Sequence, residues 1–201
     1  MLSVGMNRKL GKNVGVFNLP ARKTCPGATS YCGGVCYAMK AERCYKSARE
    51  SREKNYQASQ GPEFVDKMVA ELTKFREKGN KVRIHESGDF YSQEYLDKWI
   101  AIAAALPASI VFLAYTKMYD RLDFSRKPEN MIVYASYDPT TAAAIGTAPV
   151  GLKECIIVDD PANAPAGWHV CPPVSKDHHN YCGVSCTVCW AGSANAVWIK
   201  H

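Results

Sequence analysis

No run of about 18 apolar residues occurs anywhere in the 201-residue sequence, so a membrane-spanning helix is not expected. The first thirteen residues are basic and polar and lack the apolar segment of a secretory signal, which places the chain in a cytoplasm. Internal repeats and low-complexity segments are also missing, which excludes solenoids and arrays. Nor is there an even set of cysteines: nine are present, and a chain this long can bury a core without staples, so a disulfide scaffold is not required. In a reducing compartment, clustered cysteines more often hold a metal. The net charge of +6 is modest, and its cations alternate with acids, as expected of solvated helix faces.

What is present is a thiol-rich tail. Cys182, Cys186 and Cys189 follow a C-x3-C-x2-C spacing, with Cys171 upstream and Trp190 placed to shield them. A second set, Cys25, Cys32 and Cys36, lies in a Gly- and Pro-containing loop near the N-terminus. Thiolates are soft ligands, so the candidates are an iron–sulfur cluster, with [4Fe-4S] foremost, or zinc. His178 and His179 could complete a Cys3His zinc site. Cys44 and Cys155 stand apart and read as packed thiols.

Hydrophobic periodicity between these loops alternates strand and helix. Strand patterns fall at Val14–Leu19, Lys81–Ser87, Ile110–Tyr115, Met131–Ala135, Cys155–Val158 and Val197–Ile199. Helix patterns cover Tyr45–Gln60, Pro62–Lys78 and a segment capped by Ser92 and ended by Pro107, with short pieces at Met118–Phe124 and Pro139–Ile145. The expected architecture is α/β: a parallel sheet closed into a partial (β/α) barrel of about six strands. Residues 1–13 read as a flexible basic arm, 14–160 as the β/α core, and 161–201 as a cysteine-rich segment completing the metal site.

Ligand sites in such sheets form beyond the C-terminal strand ends. The residues found there are His85, Glu86, Ser87 and Asp89 after the second strand and Tyr115 and Lys117 after the third. They are candidates to bind a polar ligand or move a proton. Asp89 could instead cap a helix, and Lys117 could be solvated.

Two family resemblances follow from these residues. The Cys182, Cys186 and Cys189 triplet resembles that of radical S-adenosylmethionine enzymes, and Ser87-Gly88-Asp89-Phe90 looks like their Gly-Gly-Glu-Pro motif. That resemblance implies a cluster with one open iron and S-adenosylmethionine as cofactor, although those enzymes usually carry the triplet after the first strand. Nearly the whole chain, through Cys25-Pro26-Gly27-Ala28, Cys36-Tyr37-Ala38, His85 to Phe90, Ala114-Tyr115-Thr116-Lys117 and the tail, resembles a bacteriophage family of the gene product eighty-eight type. It implies a phage or prophage origin, a bacterial host cytoplasm, a radical-enzyme-like barrel, and metal roles for Cys25, Cys32, Cys36, Cys171, Cys182, Cys186 and Cys189. Three functions stay open: a redox or cluster module serving an electron-transfer or small-molecule partner, a radical enzyme, and a structural zinc protein. The last could bind nucleic acid through Arg43, Arg49, Arg52 and Lys54.

Overall fold

The computed structural model describes residues 1–4, 9–172 and 182–200. His178 and His179 lie outside the described residues. The chain forms an eight-stranded sheet in the order β1-β2-β3-β4-β5-β6-β8-β7. The strands are β1 Ser3–Val4, β2 Val14–Phe17, β3 Lys81–Ile84, β4 Val111–Thr116, β5 Met131–Tyr137, β6 Lys153–Val158, β7 His169–Val170 and β8 Ala196–Ile199. Every described pairing is parallel except β1 with β2. This is a mixed α/β fold. The six strands legible from periodicity are all present; β1 and β7 are two-residue edge pairings, too short to leave a periodic signature.

Among the described residues, six α-helices accompany the sheet: α1 Ser30–Gly34, α2 Tyr37–Cys44, α3 Lys46–Gln60, α4 Phe64–Phe75, α5 Gln93–Ala104 and α6 Val188–Ala191. Helix α4 buries Phe64, Met68, Leu72 and Phe75, the three- and four-residue stripe that drives it onto the sheet. Ser92 caps α5 by accepting from the Tyr95 amide at 3.2 Å. Two expectations are corrected. The N-terminal cysteine loop contains α1 and α2, because the Thr29 side chain caps α1 by accepting from the Cys32 amide at 3.0 Å. Met118–Phe124 is a turn, held open by Asp123, whose amide donates to Gln93 Oε1 at 2.8 Å.

The described residues of the segment expected as an arm make contacts with the fold. The Met1 amino group bonds Glu71 at 2.9 Å, and Ser3 and Val4 pair with β2. Leu10 is buried and bridges Cys182, so a hydrophobic contact and a backbone bridge tie this segment down.

The sheet's two faces are covered differently. Phe17, Val82, Ile84, Phe112, Ala114, Met131 and Val133 pack under α4 and α5 with Trp99 and Tyr95. Because side chains alternate along a strand, Val14, Val16, Leu113, Tyr134 and Cys155 point the other way. There the cover is Leu10, Cys189 and Trp190 from the ends of the described chain.

Candidate functional site

The seven thiols singled out by spacing divide into a group of four and a group of three. No cysteine forms a disulfide.

Cys171, Cys182, Cys186 and Cys189 line one cavity of about 380 Å³ on the face away from α4 and α5, together with Arg83, Glu86, Tyr115, His169 and Trp198. Backbone geometry puts them there. The Cys171 amide donates to the Val197 carbonyl at 2.8 Å, continuing the β7 to β8 ladder, and the Cys182 amide donates to the Lys9 carbonyl at 2.8 Å. Gly183 then turns with φ +90°, where a Cβ would meet the Trp190 indole at 3.0 Å, so only glycine fits without strain. Its amide closes the turn on the Cys186 carbonyl at 2.8 Å. Trp190 Nε1 donates to Cys182 Sγ at 3.4 Å, and Cys186 Sγ stands 3.5 Å from His169 Nε2. Trp190 is thus a buried part of the sheet's cover whose indole N–H also reaches a sulfur.

Burial pushes the Cys182 and Cys189 thiols above their ordinary range, while the Arg83 guanidinium pulls both down. Arg83 lies 3.8 Å over the Tyr115 ring and donates from Nε to the His85 carbonyl at 3.0 Å. Tyr115 packs edge-on against Trp198, with ring centroids 4.3 Å apart, and its hydroxyl interacts with Cys189.

Cys25, Cys32 and Cys36 gather instead at the C-terminal ends of the strands. The loop is pressed so closely there that a Cβ on Gly27 would sit 2.8 Å from the Lys117 carbonyl oxygen. Burial raises the Cys25 thiol to about 12, reinforced by Asp89 and by the neighbouring Cys32 and Cys36. Cys32 is likewise raised by burial, against the pull of Lys117. Lys117 Nζ donates to Asp138 at 2.8 Å and to the Ser136 carbonyl at 3.0 Å, and Thr29 donates to the same Asp138 oxygen at 2.6 Å. Burial would raise Asp138, but the bonds from Lys117, Thr140 and Thr29 outweigh it and hold the carboxyl at about 2.

Of the polar candidates, Lys117 stands beside the N-terminal thiols, and Tyr115 and Glu86 line the tail cavity. Asp89 does not cap α5. It accepts from Thr116 Oγ1 at 2.6 Å, the Lys117 amide at 2.9 Å and the Phe90 amide at 2.7 Å, tying β4's end to the second-strand loop. Ser87 bonds the Leu19 carbonyl at 2.8 Å and serves the loop backbone. His85 turns away from the cavity, into the aromatic core among Phe17, Phe90 and Tyr95, with Nε2 2.8 Å from the Tyr95 hydroxyl. Burial lowers it to about 3, so it is neutral. Arg52 is buried and paired with Glu42, so it is not a free nucleic-acid contact.

Arg83, Asp138, His169 and Trp198 were not singled out by spacing. The period-two alternation of Lys81-Val82-Arg83-Ile84 and of Val197-Trp198-Ile199 carried a usable signal for two of them. Among the described residues, no group of three or more His, Cys, Asp or Glu side chains stands in position to hold a metal ion. The donor chemistry does fit a soft-metal group, since four thiols line a single cavity.

The profile of the Gene product 88 family matches residues 1–198. The chain belongs to that family. Among curated relatives, the Gene 88 protein of Mycobacterium phage L5 is 33% identical over 127 residues, covering 58% of this chain and 53% of that protein. The Gene 88 protein of Mycobacterium phage D29 is 30% identical over the same length, covering 58% and 52%. The chain thus spans about half the length of the curated relatives it matches. No solved structure matches. No described helix is long and apolar enough to cross a membrane.

Proposed function

We propose that this Gene product 88 chain is an iron–sulfur protein with two thiolate sites. Cys171, Cys182, Cys186 and Cys189 would hold a [4Fe-4S] cluster with a full set of protein ligands, and Cys25, Cys32 and Cys36 a second with one open position. The observation that carries this reading is the division of seven thiols into four around one cavity and three at the strand ends. Such groups, when bound, supply one-electron transfer, and an open position accepts a small ligand.

The protein's own residues do the rest. Trp190 and Tyr115 exclude water from the tail thiols, and Arg83 offsets their negative charge. Lys117, held near Cys32 by its ion pair with the buried Asp138, offers a donor to a polar ligand there. The strand order, sequential from β1 to β6, with α4 and α5 on one face only, supports the curvature of a partial barrel and the radical S-adenosylmethionine enzyme as the form catalysis would take. Reduced free thiols suit a bacterial host's cytoplasm and an electron-transfer partner there.

His169, beside Cys186, favours a second reading in which zinc is held structurally. Anaerobic purification with iron, sulfide and zinc assays separates the two. Brown protein with about eight iron and eight sulfide per chain is expected, at four of each per cubane. An altered EPR spectrum of the reduced protein on adding S-adenosylmethionine would identify the open site. Colourless, zinc-loaded protein overturns the iron–sulfur reading.

A further inference from the structure

The chain's positive charge is concentrated in one stretch of the sequence. Residues 21–54 contain eight lysines and arginines and three glutamates, a net +5 of the whole chain's +6. Alternation of sign in the sequence suggests local neutrality, but the ion pairs leave a surplus. Glu42 is bound to buried Arg52 at 2.9 Å, Glu53 to Lys23 at 2.7 Å and Glu50 to Lys46 at 3.6 Å. Arg22, Lys40, Arg43, Arg49 and Lys54 are exposed and have no carboxylate partner among the described residues.

Two aromatic rings lie among these cations. Tyr37 is 63% exposed and Tyr45 is 65% exposed. Tyr37, Lys40 and Arg43 follow at three-residue steps along α2, and Tyr45 and Arg49 are one turn apart where α3 begins. The Tyr37 hydroxyl donates to the Glu86 carbonyl at 2.6 Å, which fixes that ring while leaving its surface open. Helices α2 and α3 pack on each other and are joined at Tyr45, which brings Arg43, Tyr45 and Arg49 close along the chain.

We propose that this α2–α3 surface binds single-stranded nucleic acid, its cations contacting phosphates and its two tyrosines stacking on bases. Unneutralised cations alone would suit any polyanion. The exposed rings favour a single strand, because unpaired bases offer π-faces and a duplex does not. None of these cations lines the cavity that holds Cys171, Cys182, Cys186 and Cys189, but Tyr37 does, so the test of stacking is made at Tyr45, which does not.

Fluorescence anisotropy of the full chain with a labelled twenty-residue oligothymidylate tests it. The expected Kd is about 10⁻⁶–10⁻⁴ M at physiological salt, the range of binding without sequence preference. The triple variant Lys40→Gln, Arg43→Gln, Arg49→Gln should flatten the log–log salt dependence by about 2, at about 0.7 per cation for a single strand. Tyr45→Ala should weaken binding about fivefold or more with the salt slope unchanged. All four side chains are exposed, and thermal melts check that the variants stay folded. Absence of oligothymidylate binding overturns the proposal. So does equal binding of oligothymidylate, duplex DNA and polyglutamate with Tyr45→Ala neutral, which would mark a surface for acidic partners in general.

Discussion

The two faces of one sheet are finished in opposite ways. Under α4 and α5, apolar and aromatic side chains meet edge to face, as with Phe17 against Trp99 at 5.2 Å and Phe64 against Trp99 at 5.8 Å. This side is sealed by packing alone. On the opposite side the cover is thin: a four-residue helix, a handful of thiols and a cavity of about 380 Å³. Burying apolar surface stabilises the first face at about 25 cal/mol per Å² whatever is bound. The second buries a smaller apolar cluster beside its cavity, so a bound group would complete it, in the way metal binding is coupled to folding.

The largest expected effect tests the sealed face. His85 is neutral when folded, its value lowered to about 3, whereas an unfolded histidine takes up a proton near 6.5. Acid therefore favours the unfolded chain: the stability this residue contributes is present above pH 6.5 and is lost as pH falls toward 3. The loss is on the order of 3–5 kcal/mol across that window. His85→Asn, chosen because Asn tolerates the positive φ of 65° at this position, should flatten that part of the acid profile in urea titrations. An unchanged profile would mean that the helix-covered face admits water.

A second test separates the faces. Cys186→Ala should remove roughly half of the bound iron, if each thiol group holds one cubane. It should also raise hydrogen exchange in Cys182–Ile199 while leaving α4 and α5 protected. Uniform loss of protection would show that both faces depend on the tail.

The smallest effect is expected at Cys155. Its thiol is buried against Tyr134 and donates to the Ala135 carbonyl at 3.5 Å. Cys155→Ala should cost about 1 kcal/mol in chemical denaturation, as for other small core truncations, and leave metal content intact. Lost metal would make Cys155 a fifth member of the tail group.

The legibility of each face followed from how it is covered. Helices α4 and α5 and the central strands carry long periodic signals, and Ser92 marked the start of α5 directly. Helices α1 and α2 did not stand out, because Gly33 and Gly34 interrupt the pattern and the Thr29 cap is a single short-range bond. Cysteine spacing identified the thiols but not their division, since spacing carries no information about which side of a distant sheet a loop will cover. His85 shows the same gap: a strand end pointed to the mouth, and one residue in a left-handed conformation sent the imidazole into the core.

The bridge that joins Leu10 to Cys182 has a consequence for order of assembly. It links residues from nearly opposite ends of the described chain, and β8, against which the Cys171 segment is pinned, is the last of the described strands in chain order. Closing so long a loop costs entropy that a formed sheet can offset. During synthesis the three N-terminal thiols emerge well before the four tail thiols, so the two groups would be loaded by separate events in a fixed sequence. A chain stalled before α6 and β8 would display most of the sheet with the face away from α4 and α5 bare.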